Sequence, residues 1–139
     1  MHEKVKTILL ERNPKLCVIA TATKEGLPEA ALVGYAIMDD GTIILSTKKE
    51  TRKAKNIEEN NKIALVFGFS FTEFHVQLEG TVHITTNASH EAFFFSQNPQ
   101  AEKFKTQNDI KLVITPTWMR WFNPADSSIP TQEARFDSE

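Results

Sequence analysis

The sequence contains a single cysteine, Cys17. No disulfide can therefore form within the chain, which favours a reducing, cytoplasmic setting. Because Cys17 lies inside an apolar run, we expect its thiol to be buried and unreactive. No apolar run approaches the ~20 residues that span a bilayer, and the N-terminus has no hydrophobic signal segment. These absences predict a soluble protein that is neither exported nor held in a membrane.

The chain also lacks an excess of charge of either sign. Its 139 residues include 16 Lys and Arg and 18 Asp and Glu, and the formal net charge of −2 argues against general nucleic-acid binding. Hydrophobic residues make up 40% of the sequence, as in a folded globular protein. The length suits one domain. We predict a domain over residues 1–123 and a polar C-terminal tail over residues 124–139.

Motifs of the commonest nucleotide sites and hydrolases are missing as well. There is no G-x-G-x-x-G, no G-x-x-x-x-G-K-[ST] and no G-x-S-x-G. His75, Glu79 and His83 share one face of a predicted strand, but at ~3.3 Å per residue His75 lies ~13 Å from Glu79 and ~26 Å from His83. That spacing is too wide for one metal ion. We therefore predict no metal site and assign no catalytic side chain.

Hydrophobic periodicity predicts short strands separated by tight turns. The strands cover residues 16–23, 29–38, 42–46, 62–70, 74–84 and 110–122, and Pro116 indicates an edge or a bulge in the last. In the fourth strand the face expected to be buried carries Ile63, Leu65, Phe67 and Phe69. Helical patterns cover residues 2–13, 51–60, 92–95 and 101–106, and Asn87 or Ser89 could cap the third. This pattern predicts a mostly β fold, an antiparallel barrel with short flanking helices.

Positive charge is concentrated where the third strand leads into the second helix. Thr51 is a good N-cap residue, but Arg52 and Lys53 follow it in the first turn, where the helix dipole and free N–H groups disfavour cations. A bound anion would reverse that interaction, since hydroxyls, free N–H groups and two cations can converge on one phosphate. We therefore predict a phosphate site at this helix start. The alternative is a basic face whose lysines point into water.

The same stretch carries a family resemblance. Ile44-Leu45-Ser46-Thr47, followed by Thr51-Arg52-Lys53-Ala54 and Ile57, looks like a strand, its Thr and a Ser/Thr-Arg-Lys phosphate motif. Further on, His75-Val76-Gln77-Leu78-Glu79-Gly80 resembles a barrel strand with a characteristic Gly. A helix and the segment after it are matched by Ser89, Glu91, Phe95 and Pro99. From about Leu16 to Phe122, the chain resembles the split barrel of the pyridoxamine 5′-phosphate oxidase-like superfamily, which binds flavin mononucleotide (FMN).

The resemblance implies an FMN site with two parts. The phosphate contacts carry over to Thr47, Thr51, Arg52 and Lys53. Residues beside the isoalloxazine ring carry over to Leu32, Val33 and Ser46, and His75 stands where the oxidases have a ring-contacting Gln. Members of the family are typically homodimers with the flavin at the subunit interface, so Trp118 and Arg120 are expected to close the site from the partner.

The implied function is that of an FMN-dependent oxidoreductase acting on a small molecule, in which the cofactor supplies the redox chemistry. The vitamin oxidases of the family carry an Arg-x-His substrate motif near the C-terminus, which is not found after Thr117-Trp118-Met119-Arg120-Trp121-Phe122. A different, unidentified substrate is therefore expected. The alternatives are a deazaflavin-dependent reductase on the same fold, a non-catalytic flavin- or haem-binding or sensing protein, and a structural dimer without a cofactor.

Overall fold

A computed structural model of the chain describes residues 1–136. Over that range the backbone forms α-helices, strands and one short 3₁₀-helix at Pro99–Phe104. The helices are α1 (Glu3–Glu11), α2 (Arg52–Glu59) and α3 (Ala88–Gln97). The strands are β1 (Leu16–Ala22), β2 (Pro28–Ile37), β3 (Ile43–Lys48), β4 (Lys62–Phe67), β5 (His75–Thr85), β6 (Asp109–Phe122) and β7 (Gln132–Arg135).

Six of these strands close into an antiparallel barrel. Their order is β3-β2-β1-β4-β5-β6, and a further pairing between β3 and β6 joins the two ends. In that pairing Ile43 lies opposite Ile114, and Lys48 lies opposite Asp109. The predicted fold class, a mostly β split barrel with short flanking helices, is confirmed.

The barrel interior is apolar because alternate residues of each strand point inward. Along β5, Val76 and Leu78 are buried, whereas Gln77 between them is exposed. Cys17 on β1 is buried in the same core, and burial raises the pKa of its thiol to about 12. The prediction of a buried cysteine is confirmed, and its thiol stays protonated at neutral pH.

Two helices add apolar side chains to this core. Helix α1 buries Val5 and Leu9, and the Leu9 carbonyl accepts a hydrogen bond of 2.7 Å from the Tyr35 hydroxyl. Helix α2 buries Ala54 and Ile57. Within residues 1–136, no helix is long and apolar enough to cross a membrane.

One strand ends earlier than its pattern predicts. β4 stops at Phe67, and Phe69, expected on the buried face, is exposed. The reason is Gly68, whose φ of 102° lies in the left-handed region and turns the backbone away from the sheet. The sequence pattern overestimated the strand because apolar residues continue to alternate beyond Phe67, where the backbone leaves the sheet.

The C-terminal segment includes an additional strand. Trp121 pairs with Gln132 and Trp118 with Arg135, so β7 extends the sheet alongside the second half of β6. The Phe136 N–H donates to the Thr117 carbonyl at 3.0 Å. The domain boundary at residues 123 and 124 stays a prediction, and residues 137–139 of the predicted tail lie outside the described residues.

A bulge lies between β5 and β6, as the position of Pro116 indicated. Glu79 pairs with Trp118, but the next residue, Gly80, pairs with Pro116, so Thr117 is the extra residue. A Cβ added to Gly80 would lie 2.4 Å from the Thr115 carbonyl oxygen. Glycine is therefore required here by the close approach of the opposite backbone.

We expect Gly80→Ala to destabilise the protein by about 1–3 kcal/mol, the usual cost of overpacking, because a paired backbone cannot move aside. The measurement is the free energy of unfolding from urea denaturation. Gly34→Ala is the matched control, since its nearest neighbour is the end of the Phe94 ring at 3.1 Å. An equal loss in both variants would contradict this account of Gly80.

Candidate functional site

The end of β3 and the start of α2 bring two threonine hydroxyls together. Thr47 is buried, and its Oγ1 lies 3.4 Å from Oγ1 of Thr51. The Thr51 hydroxyl donates to the Lys48 carbonyl at 2.8 Å and accepts from the Ala54 N–H at 3.4 Å. Thr51 is therefore the N-cap of α2, as predicted.

Two cations follow in the first turn of α2, and no acidic residue shares that turn. Arg52 donates from Nε to Oε2 of Glu29 at 2.7 Å. The Arg52 side chain is 74% exposed, whereas that of Glu29 is 14% exposed. Within the described residues, neither the terminal nitrogens of Arg52 nor Nζ of Lys53 has a hydrogen-bond or ion-pair partner. These donors are available to an added anion.

We call Thr47, Thr51, Arg52 and Lys53 the hydroxyl–cation cluster. Its donor set fits a phosphate, since two hydroxyls, a guanidinium, an ammonium and the free N–H groups of a helix start are all present. Glu29, which holds the guanidinium, was not among the predicted residues. Its part depends on β2 lying close to α2, which no local pattern specifies.

The predicted ring-side residues lie on two faces of the barrel. Val33 points into the core and is buried, so only its backbone is available on the outside. Leu32 points outward and is 59% exposed. Ser46 also points outward, beside a cleft of about 350 Å³ lined by Gly34, Ser46, Thr47, Phe94, Phe95 and Phe104, among others. We call this the aromatic cleft.

A buried charge cluster that the sequence analysis missed lies behind Ser46. Lys111 is 2% exposed, and its Nζ donates to Oγ of Ser46 at 3.1 Å. Oδ2 of Asp109 lies 3.8 Å from that nitrogen, while Oδ1 accepts from Nζ of Lys48. Burial opposes ionisation of Asp109, but hydrogen bonds from Lys48 and the Thr106 N–H outweigh it and lower the pKa of the carboxyl. Lys48, whose side chain is 34% exposed, joins the buried Asp109 and Lys111 in what we call the buried charge cluster.

His75 begins β5 and is tied to its own loop. Its Nε2 lies 2.7 Å from the Ser70 carbonyl oxygen, and its ring packs edge-on against Phe122, with the ring centres 4.9 Å apart. The structure therefore gives His75 two contacts inside the chain. Within residues 1–136, no three His, Cys, Asp or Glu side chains converge as metal ligands would.

Two rows of outward side chains cross five neighbouring strands. One row is Leu32, Val18, Val66, Gln77 and Arg120, and the other is Ala30, Ala20, Ala64, Glu79 and Trp118. We call these rows the outer face. Along this row, Arg120 on β6 lies four strands from Leu32 on β2. Arg120 and the predicted residue His75 both pack against the Phe122 ring.

Known proteins resemble the chain in sequence. Residues 1–120 match the profile of the family described as pyridoxamine 5′-phosphate oxidase. The chain belongs to the pyridoxamine 5′-phosphate oxidase family. Two relatives named pyridoxine/pyridoxamine 5′-phosphate oxidase are 27% identical over 97 residues, from Novosphingobium aromaticivorans, and 35% identical over 82 residues, from Rubrobacter xylanophilus. These matches cover 70% and 59% of this chain but 48% and 38% of the relatives, so the chain spans about half or less of their length.

Solved structures share the fold. General Stress Protein 26 from Bacillus anthracis is 19% identical, with a TM-score of 0.76 over 96% of this chain and 97% of its own. A family-related FMN-binding protein from Nostoc punctiforme is 10% identical, with a TM-score of 0.67 over 99% and 96%. A haem-binding protein from Mycobacterium smegmatis is 18% identical, with a TM-score of 0.77 over 96% and 57%. At such identities, these likenesses show that the family's barrel is shared.

We expect Thr51→Ala to destabilise the protein by about 1 kcal/mol, because α2 loses its N-cap hydroxyl. Thr51→Ser keeps the hydroxyl and serves as the control, with a much smaller loss. The measurement is the free energy of unfolding in urea. The N-cap interpretation fails if the serine variant loses as much stability as the alanine variant.

Proposed function

We propose that this chain binds FMN between two copies of itself and acts as an FMN-dependent oxidoreductase on a small molecule. The observation that carries the proposal is the hydroxyl–cation cluster, whose donors lie within one strand end and one helix turn. Its free donors suit the dianionic 5′-phosphate of a nucleotide.

Each residue of the cluster would have a distinct part in binding the phosphate. The Thr47 hydroxyl and the first N–H groups of α2 would donate to its oxygens, and the Thr51 hydroxyl would do so by turning its proton away from the Lys48 carbonyl. Because Glu29 engages only Nε of Arg52, both terminal nitrogens of the guanidinium can donate as a pair. Lys53 adds a second charge. The four predicted residues can thus all contact the same phosphate group.

The ring would lie along the outside of β2 and β3, against Leu32, the backbone of Val33 and Ser46. Bound FMN supplies the hydride chemistry, so the protein has only to bind, orient and shield it. We assign the small-molecule substrate to the aromatic cleft, because Ser46 and Thr47 line that cleft as well. The fold neighbour described as FMN-binding supports the choice of cofactor.

Haem binding is the alternative raised by another fold neighbour. The hydroxyl–cation cluster favours FMN, since it offers phosphate donors and contains no histidine or cysteine to ligate iron. His75 is engaged by Ser70 and Phe122. A deazaflavin would use a similar frame, and its absorption spectrum distinguishes it from FMN.

A second copy of the chain would cover the outer face. That face carries small and apolar side chains at its centre, including Ala20, Ala64 and Val66, which is 40% exposed. A groove of about 500 Å³ runs along it beside Gly80. A two-fold dimer would bury this face and could bring Trp118 and Arg120 of one copy to the flavin of the other. A cytoplasmic location fits the buried, reduced Cys17.

We expect the purified protein to show a flavin absorption spectrum and to release FMN on heat denaturation. The phosphate contribution is measured by comparing the Kd of FMN with that of riboflavin, which lacks the phosphate. The double variant Arg52→Ala/Lys53→Ala should bind FMN at least tenfold more weakly, a change of about 1.4 kcal/mol, and riboflavin as before.

The matched control is Lys4→Ala/Lys24→Ala, which removes two exposed cations on α1 and in the β1–β2 turn and should leave both affinities unchanged. A colourless protein that takes up no added FMN, or equal FMN binding in the Arg52/Lys53 variant and the wild type, would refute the assignment.

We expect Ala64→Arg to weaken dimerisation at least tenfold, because it adds a charge to the centre of the outer face. Sedimentation velocity over a range of concentrations measures the effect. Gln107→Arg adds the same charge at an exposed position away from this face and should leave the dimer intact. Loss of the dimer in both variants, or in neither, would count against this interface.

A further inference from the structure

We propose that Lys111 is a positioning residue that directs the Ser46 hydroxyl towards the flavin and makes the bound flavin easier to reduce. The inference rests on the proposed function, since it concerns the ring side of the same site. Lys111 itself is buried and would act through Ser46 and through its charge.

The first argument is the unusual surroundings of the Lys111 ammonium. Besides Ser46 and Asp109, its neighbours are the rings of Phe94 and Phe95, whose centres lie 5.2 and 4.9 Å from Nζ. Aromatic faces attract a cation but replace only part of its hydration. A lysine is rarely buried to this extent unless it is paired or has a function.

The second argument is a count of charge. Lys48 and Lys111 carry two positive charges, and Asp109 carries one negative charge. Asp109 is also shared, since its Oδ1 accepts from Lys48 and from the Thr106 N–H. The nearby Glu91 is paired with Lys105 at 2.7 Å and adds no net charge. The cluster therefore carries one net positive charge, part of which is solvated because Lys48 is 34% exposed, and the Lys111 ammonium lies nearest to Ser46.

The protonation of Lys111 is opposed by its burial. Desolvation lowers the pKa of the ammonium, while the carboxylates of Asp109 and Glu91 act in the opposite direction. An apolar side chain at position 111 would avoid this cost, because burying an ammonium whose carboxylate partner is shared with Lys48 is unfavourable. A ligand that develops negative charge nearby would make the arrangement favourable.

The third argument concerns the direction of the Ser46 hydroxyl. Its oxygen accepts from Lys111, and a serine hydroxyl has one proton to donate. That proton must point away from the ammonium. Ser46 lies at the edge of the aromatic cleft, beside the position proposed for the ring, so its hydroxyl can donate to an acceptor of the flavin. An adjacent ammonium polarises the O–H bond and strengthens that donation.

Together these contacts favour the reduced state of the flavin. Two electrons and one proton convert the neutral, oxidised ring of FMN to a reduced ring with one negative charge. A hydrogen-bond donor and a buried positive charge near the ring stabilise that charge, and the reduction potential rises. The oxidised ring, which is neutral, gains much less from them.

The test is the midpoint potential of the FMN-loaded protein, titrated with dithionite as electron donor against a reference dye. Lys111→Met keeps the length of the side chain and removes its charge. We expect the affinity for reduced FMN to fall at least tenfold relative to that for oxidised FMN, which lowers the potential by about 30 mV for this two-electron couple. Ser46→Ala should shift the potential in the same direction, and the double variant should shift it by less than the sum.

Lys24→Met is the control, since it removes an exposed lysine in the turn between β1 and β2, away from the cluster. Its potential should equal that of the wild type. A purely structural role of Lys111 would weaken binding of both oxidation states equally and leave the potential unchanged. An unchanged potential in FMN-loaded Lys111→Met would therefore overturn the inference but not the proposed function. If Lys111→Met does not fold, Ser46→Ala decides by the same measurement. A wild type that binds no FMN would overturn the proposed function and the inference with it.

Discussion

The pairing of β3 with β6 is the constraint on which the rest of the molecule depends. It closes the barrel, and it joins residues more than sixty positions apart in register, Lys48 with Asp109 and Ser46 with Lys111. A shift of one residue would move every side chain of β3 to the other face. Thr47 would then leave the side of the barrel on which it meets Thr51, and Ser46 would no longer face the aromatic cleft.

Charge is distributed unevenly around this junction. Arg52 and Lys48 each have a carboxylate partner, Glu29 and Asp109, which holds the side chain in place without occupying all of its donors. Lys53 has no partner among residues 1–136, and Lys111 shares its carboxylate with Lys48. One surplus positive charge thus faces solvent at the helix start, and the cluster behind Ser46 carries another, which is partly solvated at Lys48. This distribution suits a ligand with a charged end and a planar, electron-accepting end.

A single chain provides only part of the proposed site. The hydroxyl–cation cluster is complete within one chain, whereas Trp118 and Arg120 lie across the outer face. A ligand bound at the cluster would therefore have one side covered by its own chain, and the other side by whatever packs on that face. The small side chains of Ala20 and Ala64 allow a close approach there, which is how a dimer would complete the site.

The sequence by itself determined the existence of the six barrel strands, the helix start at Thr51 and the grouping of Thr47, Arg52 and Lys53. These features depend on periodicity and on residues within a few positions of one another, which local energetics govern. Only the tertiary structure decided that Glu29 holds Arg52 and that Lys111 lies behind Ser46, since those contacts join distant segments. It also decided that β4 ends at Phe67. Register, barrel closure and burial are properties of the whole chain, and no local pattern contains them.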